Sequence, residues 1–209
     1  MKISDSVRKA INDWEQHELD SAMLHACNAV DGTAAIIFPT QGSNTRFTRL
    51  LRENYNILGP MGAPGINLVD TRFPLVLPHA KASQGKPDIA DVIYGIHRCS
   101  HGHGEELPSG FELLEDAAGP TRITRMEVEK GKVRLSDRII FGLIAVVVFS
   151  PANKNSVTPK LDGYFLKFGN SPILMINEWW GQADKFISEI LPTDSLPLVT
   201  LDFHNMITE

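Results

Sequence analysis

The sequence predicts a mainly α-helical fold, a helical bundle with two small appended β-hairpins. Apolar residues recur at spacings of three and four along several segments, the mark of helices with one buried face. Strict alternation is confined to two short stretches, each centred on a glycine turn. Alternating strand and helix units are absent, and so are GxGxxG and GxxxxGK[ST]. A doubly wound nucleotide-binding sheet therefore has no support.

Residues from about Ser6 to Phe38 read as one long or two consecutive helices, with Val7, Ile11, Trp14, Ala22, Met23, Ala26 and Val30 on the buried side. Pro39 and Gly42 end the pattern, and Ser43 is the expected N-cap of a helix over 44–58 built on Phe47, Leu50, Leu51 and Tyr55. Residues 59–65, GPMGAPG, read as loop. The stretch 67–78, interrupted by Pro74, reads as an irregular cover. Pro87, Asp88 and Asp91 open the next helix, which buries Ile89, Val92, Ile93 and Ile96 and is expected to end at Gly102 and Gly104. A polar loop follows. Residues 121–135 alternate about Lys130-Gly131 as the first hairpin. Ser136-Asp137 then caps an apolar helix through Phe149, and Pro151 ends it.

Residues 153–162 read as linker. The second hairpin, 164–168 with 173–176, turns at Gly169-Asn170, and a last helix over 178–191 buries Trp180, Phe186, Ile187 and Ile190. Two units are expected: a helical domain over 1–151, including the hairpin at 121–135, and a C-terminal hairpin and helix over 152–209 packed on it.

With 209 residues, 43% hydrophobic and 22% charged, the chain has the composition of a globular protein with a real core. A net charge of −5 argues against wholesale polyanion binding, so phosphate contacts would come from local patches. Cys27 and Cys99 make neither a disulfide framework nor a CxxC zinc pair. The apolar run IIFGLIAVVVF covers 139–149, well short of the roughly 20 residues a membrane span requires. The N-terminus is charged where a signal peptide needs an apolar run. The expectation is a cytoplasmic protein with no membrane partner and no cofactor.

Chemistry concentrates in DIADVIYGIHRCSHGHGEE, residues 88–106. On a helical wheel Asp91, Tyr94, Arg98 and His101 share a face apart from the apolar stripe, with His97 beside Tyr94 and Arg98. Histidine titrates near neutrality and serves as acid or base. Arginine stays charged and grips phosphate oxygens through parallel N–H donors. RNA cleavage without metal needs these functions: a base for the 2′-OH, an acid for the leaving oxygen, and a cation for the developing charge.

Arg98-Cys99-Ser100-His101-Gly102-His103 resembles the R-x4-6-H motif of HEPN domains (higher eukaryote and prokaryote nucleotide-binding). The order of elements over residues 1–151 is similar too. The resemblance implies a metal-independent endoribonuclease whose site is shared across a homodimer. Arg98 and His103 would then be catalytic, with His101, His97, Ser100 and Tyr94 in support. Toxin–antitoxin and phage-defence systems are common contexts, so RNA is the implied substrate and an antitoxin protein a possible partner. Cys99 follows the arginine where the nucleases often carry Asn, Asp or His. That departure keeps open a non-catalytic nucleotide- or protein-binding module on the same scaffold. In an unbroken helix Arg98 and His103 lie about 140° apart around the axis. They meet on one phosphate only through a break at Gly102 or by donation from two subunits.

Other candidates are weighed beside these. Arg46, Arg49 and Arg52 recur every three residues and form a candidate RNA track, with Glu53 as their evident counter-charge. Arg122, Arg125, Lys130, Lys132, Arg134 and Arg138 surround the first hairpin, either as a phosphate track or as a solvated face. His97, His101 and His103 with Glu105 and Glu106 could hold a metal in a hydrolase, although HExxH is absent and no metal is expected. Simpler roles compete: His103 as a hydrogen-bonded core residue, His101 as a complement to the helix dipole, Cys99 as a small buried hydrophobe. Of Trp179-Trp180, one reads as a core anchor and the other as half exposed at an interface, rather than the pair as a stacking platform.

Overall fold

The computed structural model describes residues 2–77, 86–103, 110–116, 124–191, 198–201 and 203, without the side chains of 98–103. The fold is mainly α-helical with small sheets, as the patterning predicts. The N-terminal pattern resolves into two helices, α1 (Ile3–Glu15) and α2 (Leu19–Ile37). Between them His17 adopts φ 62°, a left-handed turn that reverses the chain within three residues. The start of α1 thereby meets the end of α2, where a Cβ on Gly32 would stand 3.2 Å from Ile3.

The expected helix over 44–58 is in fact two. It breaks at Asn54 into α3 (Ser43–Glu53) and α4 (Tyr55–Gly62). Ser43 begins α3 instead of capping it; its hydroxyl meets Tyr94 Oη at 3.2 Å. The loop expectation for 59–65 is corrected as well, since α4 runs through Pro60 to Gly62. Tertiary contact explains this. Gly62 lies against Gly142 of α6 (Arg138–Phe149), where a Cβ on Gly142 would stand 2.9 Å from Gly62 Cα. Two absent side chains allow a close crossing, and burial overrides local propensity.

α6 is the centre of the core. All its residues except Arg138 and Phe141 are buried. As expected, Ser136 serves its start, its Oγ accepting the Arg138 N–H at 3.1 Å. Arg138 Nε in turn donates to the Met61 carbonyl at 3.0 Å, satisfying an open acceptor at the end of α4. Residues 66–77 cover the core irregularly, with Leu68, Thr71 and Phe73 buried. They are joined to the chain's end by the isolated parallel bridge between Ile66 and Val199.

α5 (Ile89–His103) precedes a three-stranded mixed sheet. Its strands are β1 (Phe111–Leu114), β2 (Met126–Glu129) and β3 (Lys132–Ser136), in the order β1-β3-β2. The β2–β3 pair is the expected hairpin, antiparallel, with Val128 opposite Val133 and Gly131 at φ 74°; residues 121–123 lie outside the described residues. β1 corrects the polar-loop reading of its segment, pairing parallel to β3 with Phe111 opposite Val133.

The expected linker is structured. It contains short 3₁₀ turns at Pro151–Asn153 and Pro159–Leu161. Asn153 is buried, its amide donating to Thr33 Oγ1 at 2.9 Å and to the Val147 carbonyl at 2.8 Å. The second hairpin is β4 (Phe165–Leu166) with β5 (Leu174–Met175). The last helix is not continuous. α7 (Ile176–Trp179) stops at Gly181, where φ is 77° and a Cβ would stand 2.9 Å from Lys154. α8 (Ala183–Lys185) then passes into a π turn over Phe186–Ile190. Phe186 stacks on Phe149 of α6 at 4.3 Å, so the C-terminal segment shares the core of the N-terminal helices.

Candidate functional site

α5 carries the motif, and its first turns are fixed by a buried ion cluster. Asp88 lies just before the helix and its Oδ1 accepts the Asp91 N–H at 3.0 Å, an N-cap. Arg52 of α3 donates to both Asp88 oxygens, at 2.7 and 3.0 Å, and pairs with Asp91 at 2.9 Å. Asp88 and Asp91 are only 4% and 3% exposed. Burial works against the Asp88 carboxylate, but the Arg52 hydrogen bonds and charge prevail and hold its pKa below the ordinary range. Burial also pushes the Tyr55 phenol up, helped by the Asp88 charge. Tyr55 Oη accepts the Ala90 N–H at 3.3 Å, so that residue too serves the start of α5.

One turn further on, the wheel reading needs correction. Tyr94 and His97 do not form an open face; they are 4% and 7% exposed. The His97 ring stacks on Phe47 at 5.1 Å, and Tyr94 packs against the same ring at 5.5 Å. A wheel drawn for a helix with one partner mislabels a helix packed on several sides. Both residues hold α5 in place and do not reach solvent as reacting groups.

α5 runs through His103, in line with the expected end at Gly102 and Gly104, so of the two ways for Arg98 and His103 to meet, the break at Gly102 is absent. Positions 98 and 103 therefore sit about 140° apart around a single axis. The side chains of Arg98, Ser100, His101 and His103 lie outside the described residues, as do Glu105 and Glu106. Among the described residues no group of His, Cys, Asp and Glu is arranged to hold a metal.

The α3 arginines have more counter-charges than Glu53. Arg46 donates twice to Asp31, both bonds at 3.0 Å. Arg49 binds Glu53 at 2.7 Å and lies over the Phe38 ring at 4.3 Å. Arg52 is committed to Asp88 and Asp91, as above. Of the three, Arg49 is the most open, its side chain 47% exposed. Around the first hairpin Arg134 pairs with Glu112, Glu127 and Glu129, and Lys132 also pairs with Glu112. The charges alternate across β1, β3 and β2, which favours the solvated-face alternative for this hairpin; only the Glu112 contribution is missed in the sequence, because β1 itself is missed. Arg122 lies outside the described residues. Trp179 and Trp180 are both core residues, 8% and 2% exposed, so the core anchor is as expected but neither ring is half exposed.

The model of one family, Rv1289, matches residues 2–207, essentially the whole fold just described. The chain belongs to the Rv1289 family. A relative from Mycobacterium tuberculosis strain H37Rv, titled uncharacterized protein Rv1289, is 40% identical over 208 residues, covering 99% of this chain and 95% of its own. Uncharacterized protein Mb1320 of Mycobacterium bovis matches with the same identity and the same coverage. No solved structure matches this Rv1289-family chain. No helix among the described residues is long and apolar enough to cross a membrane.

Proposed function

We propose that this protein is a metal-independent endoribonuclease of the HEPN type, acting as a homodimer. The observation that supports this reading best is the unbroken course of α5 through His103. One helix presents positions 98 and 103 in directions about 140° apart, so a single copy does not deliver both groups to one phosphate. A twofold pairing of two α5 ends does, with the arginine of one protomer meeting the histidine of its partner. Arg98 then neutralises charge on the phosphate oxygens, and His103 moves the proton at the attacking or leaving oxygen. The Arg52–Asp88–Asp91 cluster and the Phe47–Tyr94–His97 stack give the motif a rigid base. RNA is the substrate class, and a toxin or defence role with an antitoxin partner is the setting in which such enzymes commonly work.

Incubation with a mixed RNA pool in EDTA tests the proposal. Wild type is expected to yield 2′,3′-cyclic phosphate ends, and Arg98→Ala and His103→Ala each to cut at least about a hundredfold more slowly. Undiminished cleavage by either variant removes the reading. One observation favours a second reading, a non-catalytic nucleotide- or protein-binding module: Arg46, Arg49 and Arg52 are all engaged with carboxylates. That module predicts wild type inert towards every RNA in the pool.

A further inference from the structure

A cleft remote in sequence from the α5 motif has a chemistry that the ribonuclease reading does not use. It opens between α1, the start of α6 and β4, with a volume of about 930 Å³, within the range of small-molecule sites. Trp14 and Phe141 line it edge to face, 4.7 Å apart at 84°. Tyr164 and Phe165 add two more rings; the first is fixed by a 2.6 Å bond to Asn12 Oδ1, and the second is 49% exposed.

Two carboxylates share this aromatic space. Asp137 is only 5% exposed; its Oδ2 accepts the Trp14 indole N–H at 2.7 Å and its Oδ1 the Asp116 backbone N–H at 3.2 Å. Asp116 accepts the Ser136 hydroxyl and, at 3.4 Å, that of Thr124. All these donors are neutral. Among the described residues neither carboxylate has a Lys, Arg or His within ion-pair distance. Arg138 and Lys167 also line the cleft, against Glu15 and Asp162 in addition to the aspartates. Arg138 is turned to the Met61 carbonyl and Lys167 is exposed. Among the described residues, the buried Asp137 and half-buried Asp116 carboxylates are thus oriented by neutral donors with no ion-pair partner.

The geometry points to a binding site for a small organic cation carrying a flat apolar ring. Its ammonium group neutralises Asp137 and Asp116, and its ring is buried among Trp14, Phe141 and Phe165. A cation gains both from desolvated carboxylates and from aromatic faces. An anion of the same shape meets two like charges. This inference does not depend on the ribonuclease reading, and Arg98→Ala is expected to bind as wild type does.

Calorimetric titration of the full chain with tryptamine, against indole-3-propionate as the anion on the same ring system, tests it. Tryptamine is expected to bind saturably, one per chain, with Kd below about 1 mM and at least about tenfold tighter than the anion. Asp137→Asn should weaken tryptamine about tenfold or more. Because Asp137 adjoins the start of α6, Phe165→Ala at the half-exposed ring is the second variant, expected to lose about threefold or more with its unfolding midpoint unchanged. Absence of tryptamine binding, equal affinity for the two indoles, or full-strength binding by both variants overturns the proposal.

Discussion

Removing the Arg52 guanidinium would strand Asp88 and Asp91 in the protein interior. Arg52→Met is therefore expected to destabilise the fold by about 3 kcal/mol, since breaking a buried ion pair leaves uncompensated charge. Urea unfolding at neutral pH measures this. The same residue sets a pH dependence. Asp88 titrates lower in the folded protein than in the unfolded chain, so its stabilisation is complete above the unfolded carboxylate value of about 4. It is lost as pH falls from there through the folded value. The wild-type unfolding midpoint should accordingly drop below about pH 4, and the drop should be shallower in Arg52→Met. At this scale the sequence shows which residues belong to the neighbourhood but not which ones pair. Arg46, Arg49 and Arg52 look like a row of open cations because Asp31 and Asp88 are 15 and 36 residues from their partners. Cys27 is a simpler case. Burial pushes its thiol well above the ordinary range, so in a Cys99→Ser background a maleimide should label it only after denaturation.

The element scale is governed by how closely two backbones approach. Gly142→Ala would place a methyl 2.9 Å from Gly62 Cα and 3.0 Å from Leu58 Cδ1. The two helices would have to separate, at a cost of about 1–3 kcal/mol, read as a lower thermal midpoint with unchanged helix content. This crossing also explains why α4 is illegible in advance. Gly59, Pro60 and Gly62 are loop residues by local propensity, and only a facing glycine 80 positions later makes a helix there favourable. Legible elements have local causes: the period of α2 and α3, the Lys130-Gly131 turn, the Ser136 cap. β1 has none, because its neighbour β3 is parallel and is separated from it in sequence by β2, so no tight turn announces it. The motif on α5 is legible as residue types, whereas the cleft at Trp14 and Asp137 is not, because it joins side chains more than 120 positions apart.

For the whole molecule the decisive question is whether chemistry belongs to one chain or to two. In a shared site, each mixed dimer of Arg98→Ala and His103→Ala has one intact site and one doubly defective site. Random exchange makes half the dimers mixed, so the mixture should recover about a quarter of wild-type cleavage from two inactive proteins. A site contained within one chain recovers nothing, and the RNA assay in EDTA distinguishes the two.

The enclosure of α6 has a bearing on how the polypeptide is made. A segment with almost no wet surface is unstable alone in water, so it has to dock as soon as it leaves the ribosome. The helices that receive it, α2 and α4, are already synthesised, while Trp179 and Phe186, which close its far end, arrive 30 and 37 residues after Phe149. During that interval Phe149 stays uncovered. Chains stopped just past Pro151 should therefore aggregate or recruit chaperones, whereas chains extended to Leu191 should be released in soluble form.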